Sequence, residues 1–228
     1  MKRHPHFARV LNAPLLALLG FLALGGVETA SSAVIDLFSE SPQILSLDAS
    51  AKYISQTTAL AGSPFTSRFA SLSGGAQQLA ITTESSQASY SFALSSGNSG
   101  QFCLTYTPDK GKTVDLSGNG ETGILFHFEN LKLSSPAAVM VGYYSTQWKG
   151  SVQVTLSGTE ASEQLFVPFS AFPSKPGDFS KITSLSITTR DLQPGDSFSM
   201  GPITTIPEVS SPALLALAAM CLIGKRRR

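Results

Sequence analysis

Short segments in which apolar and polar residues alternate run through most of this chain. A period of two places successive side chains on opposite faces of a β-strand, so each segment predicts a strand with one buried face. Residues 123–131 show the pattern most clearly, because three large apolar residues share one face: Ile124, Phe126 and Phe128. Similar patterns predict strands at 89–94, 101–107, 139–144, 151–156, 163–169, 181–189 and 197–203.

Turn-forming residues separate these segments, and no long amphipathic helix interrupts them. We therefore predict an all-β fold, an antiparallel β-sandwich of the jelly-roll type. The turn at 95–100 predicts a hairpin between the strands on either side of it, and the loop at 145–150 connects two further strands. Residues 59–78 fit no element, but Arg68 within them is expected to pair with a buried carboxylate.

Composition favours an extracellular β-domain and argues against a nucleic-acid-binding one. Only 14% of the 228 residues are charged, whereas Ser, Thr and Gly are abundant, as is typical of strands and their turns. Seven of the 16 Lys and Arg residues lie near the two ends, so residues 34–205 carry nine of them against 13 Asp and Glu, a net charge of −4. Nucleic-acid binding needs clustered cations, and a mildly acidic domain does not provide them.

The two cysteines do not predict a disulfide framework. Cys221 lies near the C-terminus, so removal of that segment would leave Cys103 alone. Its neighbours Phe102 and Leu104 are apolar, and we expect Cys103 to be a small buried residue.

Residues 1–33 have the layout of a secretory signal peptide with an apolar helix at 10–24. The positive region that precedes this helix contains Lys2, Arg3 and Arg9. Small residues just before the cut predict cleavage after Ala33. Cleavage after Ala30 is a poorer alternative, because the acidic Glu28 would then be the third residue before the cut. An uncleaved membrane anchor is the competing interpretation, and the short apolar region argues against it.

Residues 206–228 form a second targeting segment in three parts. It begins with Pro207, Glu208 and Val209. An apolar run at 212–223 then predicts a short transmembrane helix, and the chain ends in four cations: Lys225, Arg226, Arg227 and Arg228. A helix needs about 20 apolar residues to span a membrane, and terminal cations stay on the cytoplasmic side. A sorting signal therefore explains this segment better than a permanent anchor.

This order of parts resembles the PEP-CTERM sorting signal of Gram-negative bacteria, with Val209 where that motif has a second proline. The resemblance implies two processing partners, signal peptidase and an exosortase-type sorting enzyme. It also implies an intermediate anchored in the inner membrane and a final place at the cell surface or in the extracellular matrix. Residues 167–172, 178–180 and 182–188 resemble the closing part of galactose-binding-like jelly rolls, which many PEP-CTERM proteins carry.

Catalytic motifs are absent from the sequence, so an enzyme is not expected. His127 shares a strand face with Glu129, and an exposed strand face explains the pair as well as acid–base chemistry does. Side chains with oxygen atoms stand at alternate positions, as they do at the start of a calcium-binding loop: Asp115, Ser117, Asn119 and Glu121. Phe126 stands where the closing acidic residue would be, so a glycine-rich turn without a cofactor is the simpler interpretation.

Aromatic residues mark the loop at 145–150. Trp148 lies in this loop, and Tyr143 and Tyr144 come just before it. A rigid aromatic ring suits stacking against the apolar face of a sugar, so these three residues are a candidate glycan platform. Packing of the rings onto the edge of the sandwich is the alternative.

Three functions are compatible with these observations. The first is a non-enzymatic structural or adhesive protein, exported and sorted to the surface or matrix through its C-terminal segment. The second is a carbohydrate-binding module for exopolysaccharide or environmental glycans, with the three aromatic residues as its platform. The third is a hydrolase, which would need two suitably spaced carboxylates in a cleft.

Overall fold

The computed structural model describes residues 32–39, 42–82, 86–92, 99–118, 120–173 and 178–207. The first seven strands are β1 (Val34–Asp36), β2 (Gln43–Leu47), β3 (Tyr53–Ala59), β4 (Ser67–Ser73), β5 (Gln77–Thr82), β6 (Gln87–Phe92) and β7 (Gly100–Thr107). The other seven are β8 (Glu121–Lys132), β9 (Ala137–Ser145), β10 (Lys149–Leu156), β11 (Ser162–Pro168), β12 (Ile182–Leu192), β13 (Ser197–Met200) and β14 (Ile203–Pro207). Two 3-10 turns lie between β11 and β12, at Phe169–Ala171 and Asp178–Ser180.

The strands form two antiparallel sheets. One has the order β1-β14-β8-β13-β6-β5-β2, with β11 also paired to β8, and the other has the order β10-β9-β12-β7-β4-β3. Aromatic rings from the two sheets meet in the core, since Phe102 of β7 lies 5.8 Å from Tyr90 of β6 and 6.2 Å from Phe198 of β13, measured between ring centroids. The predicted antiparallel β-sandwich is confirmed.

The predicted end segments lie mostly outside this description. Residues 1–31 of the expected signal peptide and residues 208–228, which include Glu208, Val209 and the terminal cations, are outside the described residues. The described part of the chain contains no apolar helix of membrane-spanning length.

Strand β8 has one buried face and one partly exposed face, as its alternating sequence predicts. Ile124, Phe126 and Phe128 are buried at 0% exposure, while Leu125 and His127 between them are partly exposed. The loop after β9 connects two strands as expected, and the structure shows that these strands pair, Tyr144 with Lys149 and Ala137 with Leu156.

Two other predictions about strands are wrong. Strand β6 pairs with β5 and β13 in one sheet, whereas β7 pairs with β4 and β12 in the other, so the segments around residues 95–100 do not form a hairpin. Alternation identifies a strand but carries no information about its partner.

The single strand predicted at 197–203 is two strands, because the chain leaves the ladder at Gly201 and Pro202. A proline cannot donate a ladder hydrogen bond.

The unplaced segment around Arg68 forms strand β4, which lies between β7 and β3 in the six-stranded sheet. Arg68 of β4 is fully buried, and its Nη1 donates to Oδ2 of Asp36 in β1 at 2.6 Å. The same carboxylate oxygen accepts from the Tyr106 hydroxyl at 3.0 Å, and Arg68 Nε donates to Oε1 of Gln43 at 3.1 Å. The expected pairing of Arg68 with a buried carboxylate is therefore confirmed, and it links strands of both sheets.

Candidate functional site

The strands β10, β9 and β12 present a surface of mostly small side chains to the outside of the sandwich. Gly142 of β9 pairs with Ser151 of β10 on one side and with Ser186 of β12 on the other. Because directly paired residues point to the same face, these three positions form one row on the outer surface. A second row joins Met140 to Thr188.

Small residues leave room above this part of the sheet. A groove with a volume of about 480 Å³ lies there, and we call it the outer groove. The described residues along its floor include Met140, Gly142, Ser151, Ser186 and Thr188. A side chain at Gly142 would close it from below, since a Cβ there would lie 2.8 Å from the Ser186 hydroxyl and 3.8 Å from the Ser151 Cβ.

Tyr144 is the aromatic side chain that stands free at this groove. It lines the groove and is 55% exposed, and it pairs with Lys149 and with Ser184 on its two sides. Its neighbour Tyr143 also borders the groove but is only 1% exposed. The ring of Tyr143 packs against Phe172 and Phe179 at 5.4 and 4.6 Å, so it has no free face for a sugar.

Trp148 lies at the tip of the β9–β10 hairpin and is 49% exposed. Ser145 holds this tip, since its hydroxyl accepts from the Trp148 amide at 2.9 Å and its own amide donates to the Trp148 carbonyl at 2.7 Å. Trp148 lies in the turn between β9 and β10, outside both strands. Trp148 is not among the residues that line the groove. The structure therefore separates the three residues of the predicted platform and leaves Tyr144 on the groove.

No family model and no curated protein matches this chain. Among solved structures, it is similar to the family 11 carbohydrate-binding module of a Clostridium thermocellum cellulosomal cellulase, with 13% identity, 78% of this chain and 95% of that chain covered, and a TM-score of 0.40. A solution structure of that kind of module gives 15% identity, 81% and 99% coverage and a TM-score of 0.44.

Enzymes are also among the similar structures. An agarase matches at 10% identity over 60% of this chain and 24% of its own length, with a TM-score of 0.42. All of these TM-scores are below 0.5, so the likenesses carry no weight for function, which has to be argued from the residues of this chain.

Charge adds a feature to the outer groove that the sequence did not predict. Lys149 lies near one end of it and Arg190 of β12 near the other, and both side chains are exposed. Among the described residues that line the groove, none is Asp or Glu. The groove thus combines two cations, hydroxyl groups and one free aromatic ring.

The other candidate residues lie elsewhere. His127 Nε2 is 3.6 Å from Glu129 Oε1, as their shared face predicted, and Gln87 donates to the other Glu129 oxygen at 2.6 Å. This cluster is on β8 of the other sheet. Cys103 is only partly buried, because alternation turns Phe102 and Leu104 to the core and Cys103 outward, where Thr188 donates to its sulfur at 3.3 Å. The expectation of a buried cysteine is wrong.

The candidate calcium loop gains no support. The Asp115 carboxylate already accepts from the amide and hydroxyl of Ser117, at 2.8 and 3.0 Å, while Glu121 is buried at the start of β8 and Asn119 is outside the described residues. Within the described ranges, no three His, Cys, Asp or Glu side chains come together as a metal site.

Proposed function

We propose that this chain is an exported carbohydrate-binding protein whose outer groove holds a segment of polysaccharide. The observation that carries the proposal is an exposed Tyr144 ring beside a groove with a floor of small, largely hydroxyl-bearing residues. Pyranose rings have an apolar face that packs on an aromatic ring and an edge of hydroxyl groups that exchange hydrogen bonds with polar side chains.

The floor suits such a ligand for a steric reason as well. Gly142, Ser151 and Ser186 are all small, so a sugar chain can approach the sheet closely. The Ser186 and Thr188 hydroxyls donate to the Gly142 carbonyl and to the Cys103 sulfur, both at 3.3 Å, so their oxygen lone pairs are what they offer to the hydroxyl groups of a sugar.

Binding to immobilised polysaccharides tests this proposal. We expect Tyr144→Ala to weaken binding about tenfold or more, which corresponds to ~1.4 kcal/mol, because the stacking surface is removed. Tyr53→Ala is the matched control, since Tyr53 is equally exposed at 55% but lies on β3, at the far edge of the same sheet. Equal loss in both variants, or no loss in either, would argue against the groove as the binding site.

Trp148→Ala separates this proposal from the platform predicted from sequence. Because Trp148 does not line the groove, we expect this variant to retain its affinity. A loss as large as that of Tyr144→Ala would instead place the ligand at the hairpin tip.

Export and sorting complete the proposal. A signal peptide within residues 1–33 would carry the chain across the inner membrane, and an exosortase-type enzyme would act on the tail at 206–228. The support is the order of charged, apolar and Pro-Glu-containing parts at the two ends. The mature protein would then meet its polysaccharide at the cell surface or in the matrix of a Gram-negative bacterium.

A further inference from the structure

We propose that the outer groove selects a polysaccharide that bears carboxylate groups, a polyuronate, over a neutral one. This inference rests on the proposed carbohydrate-binding function and specifies its ligand class. It is carried by Lys149 and Arg190, the charged side chains among the described residues that line the groove.

Neither cation forms an ion pair with another described residue. The ion pairs among the described residues are Arg68–Asp36, Lys112–Asp109 and His127–Glu129, and none includes Lys149 or Arg190. Asp191 directly follows Arg190, but it does not line the groove and does not pair with it. Two unpaired cations at one groove stand out in a domain whose net charge is −4, and they attract an anionic ligand.

The distance between Lys149 and Arg190 requires a polymeric ligand if both side chains are to contact it. Lys149 pairs with Tyr144 and Arg190 pairs with Ala138, so their partners on β9 are six residues apart. At the usual rise per residue this separates them by roughly 20 Å along the strands, and by roughly 10 Å across them because β10 and β12 flank β9. A monosaccharide cannot contact both cations, whereas a chain with a repeated negative charge can.

The chemistry of Arg190 favours carboxylate. A guanidinium group has a planar fork of N–H donors that fits the two oxygens of a carboxylate in a bidentate pair. Lys149 adds a second positive charge beside the Tyr144 ring, where a stacked uronate would place its carboxylate within reach. The ring and the cations thus recognise the apolar face and the charged edge of the same kind of sugar.

Calorimetry with the full-length chain tests the inference with two polymers that differ only in charge. The probes are polygalacturonate and the neutral polymer made from it by carboxyl reduction. We expect polygalacturonate to bind at least tenfold more tightly at low salt, and we expect added NaCl to remove most of this difference by screening. The effect of NaCl on the affinity is measured on the unaltered protein, so it tests the inference without any substitution.

Charge-removing variants supply the second measurement. Arg190→Gln with Lys149→Met should lower the affinity for polygalacturonate at least tenfold and bring the ratio of the affinities for the two polymers close to one. The matched control is Lys52→Met with Lys181→Met, which removes two exposed cations that do not line the groove and should change neither affinity more than about twofold.

The outcomes separate this inference from the proposed function. Equal binding of both polymers, abolished by Tyr144→Ala, would overturn the charge selection and keep carbohydrate binding. Displacement of polygalacturonate by dextran sulfate at equal charge concentration would overturn the assignment to carboxylate. No binding of either polymer would overturn the inference, and the binding measurements on immobilised polysaccharides would then decide the proposed function by themselves.

Discussion

Asp36 is the residue on which most of the buried polar network depends. Its two carboxylate oxygens accept from Arg68, from the Tyr106 hydroxyl and from the Phe38 amide, the last at 2.8 Å. All of these groups are removed from water, so each one relies on the others for its hydrogen bonds. The Arg68 guanidinium also lies 5.4 Å from the centre of the Phe38 ring.

We expect Arg68→Met to lower the free energy of unfolding by about 3 to 5 kcal/mol, because it leaves the Asp36 carboxylate buried without its cation. Urea denaturation measures this change. Adding Asp36→Asn to the same variant should restore part of the loss, since the uncompensated charge is removed. Lys112→Met, which breaks an exposed pair with Asp109, should have no measurable effect; a similar loss in both single variants would contradict the role of burial.

A second prediction concerns alkaline pH. Burial, and then the negative charge of Asp36, raises the pKa of Tyr106 well above its ordinary value of 10.0. Above pH 10 the unfolded chain therefore releases this proton while the folded protein retains it. The free energy of unfolding should fall as pH rises, by about 1.4 kcal/mol per pH unit for one such tyrosine.

Tyr106→Phe removes this contribution, so its stability should fall less steeply between about pH 10 and 11 than that of the unaltered protein. Urea denaturation at several pH values gives the two slopes. Tyr53→Phe, at an exposed position, should keep the slope of the unaltered protein. Parallel slopes for the unaltered protein and Tyr106→Phe would contradict the prediction.

At the scale of elements, the hydrogen bonds that join the N-terminal segment to β14 include Ala33, the residue just before β1 and before the predicted signal-peptidase cut. The Ala33 carbonyl accepts from the Thr205 amide at 2.9 Å, and the Ala33 amide donates to the Thr205 hydroxyl at 2.9 Å. Thr205 is fully buried in β14. Cleavage after Ala33 would remove these partners and leave a buried N–H group without an acceptor.

We therefore predict that the mature chain begins at Ser31, after cleavage at the alternative site behind Ala30. Edman sequencing of the exported protein identifies its first residue. Val34 as the first residue would support the cut after Ala33 and would mean that Thr205 finds another partner.

At the scale of the whole molecule, proteolytic processing decides which parts of the chain persist after export. If an exosortase-type enzyme processes the tail, the native protein should have an intact mass without residues 210–228. Expression in a host without such an enzyme is the control, and it should yield a chain that retains them. Retention of the tail in the native host would contradict processing and indicate a simple anchor.

Much of the fold could be predicted from the sequence because it depends on local alternation. The two faces of β8 and the presence of a strand on each side of the loop after β9 follow from which neighbouring residues are apolar. The same rule separates Tyr143 from Tyr144, since consecutive residues in a strand face opposite sides, and a consistent use of it would have removed Tyr143 from the platform.

Partner choice between strands is a property of the whole chain, and only the tertiary structure decided it. The sheet change between β6 and β7, the pairing of Arg68 with Asp36 and the outer groove all join residues distant in sequence. One groove is lined by Gly142, Ser186, Lys149 and Arg190 because three antiparallel strands place them on one face. By itself, the sequence predicted an exported β-sandwich with Tyr143, Tyr144 and Trp148 as a candidate glycan platform, because these expectations depend on local patterns. The register of the sheet decided which of these rings is exposed at the groove and which charges accompany it, because it brings together residues of three strands.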